Sequence, residues 1–162
     1  MKDSEHTRFI AKVVQGPGEK DCWLWVGAIA DDGYGRFSIR RDGREKMVRP
    51  HRFLYEHITG QDLTPDVELL HTCDVPICVR VTADADTHLL AADHSTNMRD
   101  RERKGRAGRH QVGMRGLSRR QLAIRSRTLR DVVLTMGWNR EAIAAVIAGA
   151  GPGQPTLFDW SS

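Results

Sequence analysis

The residues of this chain best able to do chemistry are its three cysteines, Cys22, Cys73 and Cys78, and the histidines among them. An odd number of cysteines serves a disulfide framework badly, whereas a metal site completed by a histidine can use all of them. Cys73 and Cys78 lie close together, His88 follows, and Cys22 opens an aromatic segment upstream. Together Cys22, Cys73, Cys78 and His88 form a Cys3His set suited to tetrahedral Zn2+, and a closed four-ligand set is structural rather than catalytic. The competing reading makes Cys22 and Cys78 buried apolar residues and His88 a satisfied core histidine, which leaves the Cys73 to Cys78 spacing unexplained.

The run His71-Thr72-Cys73-Asp74-Val75-Pro76-Ile77-Cys78, followed by His88 and then by Asn97, has the form H-x-C-x4-C…H…N. It resembles the active-site box of the His-Cys box homing endonucleases. It is similar too to phage-type HNH endonucleases, in which Cys-Trp-x-Trp and H-R-x-x-Y-E segments come first. Here those segments are Cys22-Trp23-Leu24-Trp25 and His51-Arg52-Phe53-Leu54-Tyr55-Glu56. The resemblance spans Cys22 to Arg106 and implies a metal-dependent DNA endonuclease that leaves a 5′-phosphate. In that reading His71 is the general base, since an imidazole with an ordinary pKa of about 6.5 can take a proton from water near neutrality. Asn97 would hold a catalytic Mg2+ or other divalent cation through one amide oxygen, a weak site that DNA phosphate completes.

Departures from the family pattern leave some roles open. Arg80-Val81 stands where many relatives have Asn-Pro, so the group that orients His71 is not assigned, and Asp93 or His94 is a candidate second ligand. A cation is expected at the scissile phosphate, and Arg36, Arg40, Arg44 and Arg52 are equal candidates. A non-catalytic, zinc-stabilised DNA-binding module is the alternative function, as in Smad domains.

The elements that must position these groups can be read from turn and cap residues. Cys22 to Ile29 and Tyr34 to Arg40 are expected to pair as a hairpin around Asp31-Asp32-Gly33, with Lys46 to Val48 returning after Asp42-Gly43. Pro50 should open a helix that Gly60 ends, with Phe53, Leu54, His57 and Ile58 on one face. Val67 to Val81 and Leu89 to Ala91 should make a second hairpin, followed by a helix from Ser95 or Thr96 to about Lys104. Ser118 should cap a helix with Leu122, Leu129, Val132, Val133 and Met136 on one face, and Asn139 a last one ending at Gly149. These two helices read equally as a helix-turn-helix or as a packing hairpin.

The fold class expected is therefore α+β: a zinc-stabilised ββα-metal nuclease core with preceding short antiparallel strands, plus a C-terminal helical appendage. The organisation read from this is a nuclease domain over 1–106, a linker over 107–116, a basic helical region over 117–149 and a tail over 150–162. Only 40% of the residues are hydrophobic and 6% aromatic, so a metal staple would help the core.

The net charge of +4 is unevenly spread. Arg99 to Arg130 holds 12 basic against 2 acidic residues, a net +10, while the remainder holds 13 against 19, a net −6. Such a stripe suits double-stranded DNA, and Arg99, Arg103, Lys104, Arg106, Arg119, Arg120 and Arg125 are its candidate contacts. The tail sequence Gln154-Pro155-Thr156-Leu157-Phe158 resembles peptides that dock on the bacterial sliding clamp, through Gln154, Leu157 and Phe158. No signal core and no span approaching roughly 20 apolar residues is present. A cytoplasmic protein of a bacterial or phage-infected cell, without a membrane partner, is expected, and a homodimer is compatible with the sequence.

Overall fold

A computed structural model describes residues 3–92 and 117–149. Among them the chain is mixed α+β, with four helices and three two-stranded antiparallel sheets. In chain order these are α1 (Asp3–Ile10), β1 (Val13–Gln15), β2 (Trp23–Trp25), β3 (Phe37–Arg41), β4 (Arg44–Val48), α2 (Pro50–Thr59), β5 (Glu68–His71), β6 (Leu89–Ala92), α3 (Arg119–Met136) and α4 (Arg140–Ala148).

Several boundaries follow from local chemistry as expected. Pro50 starts α2, where its missing N–H costs nothing, and Gly60 ends it at φ 68°, a left-handed conformation that suits glycine. Ser118 and Gln121 form a reciprocal capping box at α3: the Gln121 amide donates to Ser118 Oγ at 3.2 Å and the Ser118 amide to Gln121 Oε1 at 2.9 Å. Asn139 Oδ1 caps α4 by accepting from Ala142 N at 2.9 Å. Asp42 and Gly43, at φ 51° and 74°, form the turn between β3 and β4, in register Phe37↔Val48 to Arg41↔Arg44.

The first expected hairpin forms differently. β2 pairs with β1 (Val13↔Trp25, Gln15↔Trp23), and its other edge faces Ile77 to Val79, where Trp25 N donates to Ile77 O and Val79 N to Trp23 O, both at 2.8 Å. Only an isolated bridge, Ile29↔Gly35, joins the two segments that were expected to pair. The cause is Trp25, which is fully buried. A Cβ on Gly27 would lie 2.5 Å from its ring and one on Gly35 2.6 Å from it, so the chain wraps the indole closely instead of extending into a ladder. Helix α1 and strand β1 were not foreseen. They deliver Phe9 to a four-ring cluster with Trp25, Phe37 and Phe53, whose touching ring centroids lie 5.1 to 5.5 Å apart.

The helical region shares that core. Leu129, Val132 and Val133 of α3 and Ile143 and Val146 of α4 belong to the same buried cluster as Leu24, Trp25, Ile77 and Leu89. At Gly33 the Asp32-Gly33 turn approaches the Leu122 backbone so closely that a Cβ would sit 3.0 Å from it. Three residues placed on the shared helix faces stand exposed, His57 among them. Ile58 and Met136 are 48% and 58% exposed, each near the end of its helix and beyond the last buried turn.

The hairpin over the central motif is present as β5 and β6, in register Glu68↔Ala92 to His71↔Leu89. The helix expected from Ser95 or Thr96, which would complete a ββα unit, lies outside the described residues. So do Asp93, His94, Asn97, Arg99, Arg103, Lys104 and Arg106, and the tail residues Gln154, Leu157 and Phe158. Among the described residues no helix is long and apolar enough to cross a membrane.

Candidate metal centre and active site

Strand pairing gathers the four metal-ligating side chains from three parts of the chain. Cys22 immediately precedes β2, and β2 bridges to the Cys78 segment through Leu24↔Cys78. Cys73 follows β5, whose last residue pairs with Leu89 beside His88, and Thr72 N donates to His88 O at 3.0 Å. Between Cys73 and Cys78 the chain turns sharply: Asp74 takes φ 58° and Cys78 N donates to Val75 O at 3.0 Å.

The ligand atoms of Cys22, Cys73, Cys78 and His88 all lie within 4.8 Å of one another. His88 Nδ1 is 3.6 Å from Cys22 Sγ and 3.5 Å from Cys78 Sγ. Metal arms of about 2.3 Å to sulfur and about 2.0 Å to nitrogen close a tetrahedral edge of about 3.6 Å, so the spacing fits an ion of that kind. The proton distribution also fits. The neighbouring thiols of Cys22 and Cys78 hold Cys73 well below the ordinary thiol range, against the opposing effect of burial. Cys22 is pushed up by its hydrogen bond to Cys73, and Cys78 is pushed up first by burial. Three sulfurs thus compete for one anionic position, and a divalent cation is the natural replacement for the shared protons. The cluster can bind a metal such as zinc.

His71 stands next to this set and outside it. It is 4% exposed, and neither ring nitrogen completes a hydrogen bond among the described residues, although the ring lies near enough to Cys73 to help hold the thiolate. Its ring packs edge-on against His51, with centroids 5.0 Å apart and planes at 71°, and lies 6.0 Å from the Tyr34 ring. Burial first, then the charges of His71, Arg49 and Arg52, push the pKa of His51 well below the ordinary imidazole range. His51 is therefore a neutral wall beside His71. The guanidinium of Arg49 lies 4.4 Å over the Tyr34 ring and is fixed by Asp32, with Nη2 to Oδ2 at 2.9 Å.

The arginines proposed from sequence sort by these contacts. Arg52 is engaged within the chain: it donates to Val67 O at 2.6 Å, Thr64 O at 3.0 Å and Leu63 O at 3.2 Å, holding the segment that leads into β5. Arg125 is buried and donates to the carbonyl of Asp74 at 3.0 Å, so it packs α3 against the metal loop and is not a surface contact. Arg36 is half-buried, Arg40 and Arg44 stand exposed on the β3–β4 ribbon, and Arg119 and Arg120 are exposed at the start of α3, with Arg119 3.4 Å from Asp31. Arg49 was not singled out, because the quoted motif begins at His51. Tyr34 was hidden in what was read as a strand. His51 lay within the motif without a role, and its spacing before a helix gave no sign that it would meet His71.

No family model matches the chain, and no solved structure matches it. Protein 7.7 of Escherichia phage T7 is 33% identical to it over 111 residues, covering 68% of this chain and 78% of that protein. Protein 2.8 of the same phage is 31% identical over 86 residues, 53% of this chain and 52% of that protein. On the strength of the first similarity, the chain belongs to the family of phage T7 protein 7.7.

Proposed function

We propose that the chain is a metal-dependent DNA endonuclease in which a zinc-bound Cys3His centre fixes the backbone that carries a general base, His71. The observation that carries this reading is the state of His71. Its ring is buried, both nitrogens lack a partner among the described residues, and it sits two residues from a metal ligand. A buried imidazole with hydrogen-bonding capacity unspent costs about 1–3 kcal/mol, which water or substrate entering the site would recover.

The surrounding side chains have parts to play in the same reading. His51, neutral and edge-on, limits rotation of the His71 ring and adds no charge that would oppose protonation of its neighbour. Arg49 lies over Tyr34, whose ring neighbours both His51 and His71, and is anchored by Asp32. With donors to spare on its planar fork, it suits a phosphate oxygen. Arg49 is therefore added to Arg36, Arg40 and Arg44 as a candidate for the scissile phosphate, and is the one favoured here. A divalent cation at Asn97 would supply charge stabilisation for the departing oxygen.

Supercoiled plasmid incubated with the full chain and Mg2+ tests the reading. Nicked or linear product whose 5′-phosphate ends can be rejoined by ligase is expected. Zinc-dependent DNA binding without any cleavage would favour the non-catalytic module instead.

A further inference from the structure

Arg80 is a charged residue that the function above does not use. It is 7% exposed, and its side-chain hydrogen bonds go to main-chain carbonyls, with the exposed Asp84 carboxylate near enough to feel its charge. Its guanidinium donates through Nε to Asp86 O at 2.9 Å, through Nη1 to Asp21 O at 3.1 Å and through Nη2 to Glu19 O, and it lies 5.6 Å over the Trp23 ring. Its own carbonyl accepts from His88 N at 3.2 Å.

These contacts all fall within three residues of a metal ligand, Glu19 being the farthest, three before Cys22. Asp21 and Trp23 flank Cys22, Asp86 lies two residues before His88, and Arg80 itself lies two residues after Cys78. One side chain therefore ties together the three segments that supply Cys22, Cys78 and His88. The charge is informative too. A buried guanidinium whose hydrogen bonds go to neutral carbonyls, and whose charge is answered only in part by the exposed Asp84 carboxylate, is costly. Three thiolates and a neutral imidazole around a divalent ion carry a net charge of about −1, which would offset it.

We propose that Arg80 is the positioning residue of the metal centre: it holds the ligand-bearing segments together and slows loss of the ion. The proposal rests on the cluster binding zinc, and not on nuclease activity.

The test compares zinc release from full-length, zinc-loaded wild type, Arg80→Ala and Arg80→Lys into excess chromogenic chelator, with thermal melting of each. Arg80→Ala is expected to release zinc at least about tenfold faster, and Arg80→Lys to fall between, because an ammonium keeps the charge but cannot span three carbonyls. Glu5→Ala, which loosens the fold at the β3–β4 ribbon, should lower the melting temperature and leave the release rate unchanged. If Arg80→Ala does not fold, Arg80→Lys alone decides. Release at the wild-type rate in the folded Arg80 variants, or equal acceleration by Glu5→Ala at matched stability, overturns the proposal. A wild type that neither contains nor takes up zinc removes the metal reading on which it rests.

Discussion

Arg49 and Arg52 lie three positions apart, yet their surroundings give them opposite work. Arg52 spends its donors on the carbonyls of Leu63, Thr64 and Val67, so Arg52→Ala removes three hydrogen bonds to part-buried or exposed acceptors and should cost about 1–3 kcal/mol of stability. Denaturant melts should show that loss, while DNA affinity of the folded variant, read by fluorescence anisotropy, should stay within about twofold of wild type. Arg49 keeps most of its fork unspent. Arg49→Ala should fold with near-native stability and lose cleavage by on the order of tenfold or more, as expected when a phosphate-facing cation is removed. Residue type alone could not rank the arginines, because a side chain's partners come from segments far away in sequence. The metal ligands were legible for the opposite reason. Cysteine has few other uses at such spacing, and the need for four ligands left little freedom in the choice.

Among the elements, those whose ends carry their own chemistry were readable from the chain: Pro50 and Gly60 around α2, Ser118 and Gln121 at α3, Asn139 and Gly149 around α4, and Asp42-Gly43 between β3 and β4. The pairing of β2 was not, since its alternation suits any partner and the close wrapping of Trp25 by Gly27 and Gly35 is a tertiary event. Helix α1 also escaped notice, although it brings Phe9 into the core and buries Glu5 against the ribbon. Glu5 accepts from Arg40 N at 3.0 Å and pairs with Arg41 at 2.9 Å, and these bonds, the backbone one first, lower its pKa below the ordinary carboxylate range. A carboxylate of this kind adds stability above its unfolded-state pKa and loses it as pH falls through its folded value. Glu5→Gln should therefore melt a few degrees below wild type at pH 7, and the gap should narrow steadily below about pH 4. A gap independent of pH would mean that the carboxylate charge contributes nothing there.

At the scale of the whole molecule, one buried cluster joins the N-terminal helix, the short strands and the two C-terminal helices, and the metal loop sits at its edge under Arg125 and beside Arg80. Two-stranded sheets are marginal alone, so much of the order near His71 should depend on the ion. Removal of zinc by a strong chelator is expected to abolish the cooperative melt or lower its midpoint by more than about 10 °C, with recovery on adding zinc back. Cys73→Ser should reproduce the chelated state. The claim at the centre of this account is that the metal centre serves a catalytic histidine, and the cleavage rate of His71→Ala against wild type tests it most directly. Both proteins should be measured on the same plasmid with Mg2+ and with zinc content determined for each. The account predicts equal zinc, equal DNA binding and a loss of cleavage of about a hundredfold or more. Cleavage by His71→Ala at the wild-type rate, with its zinc in place, would contradict it.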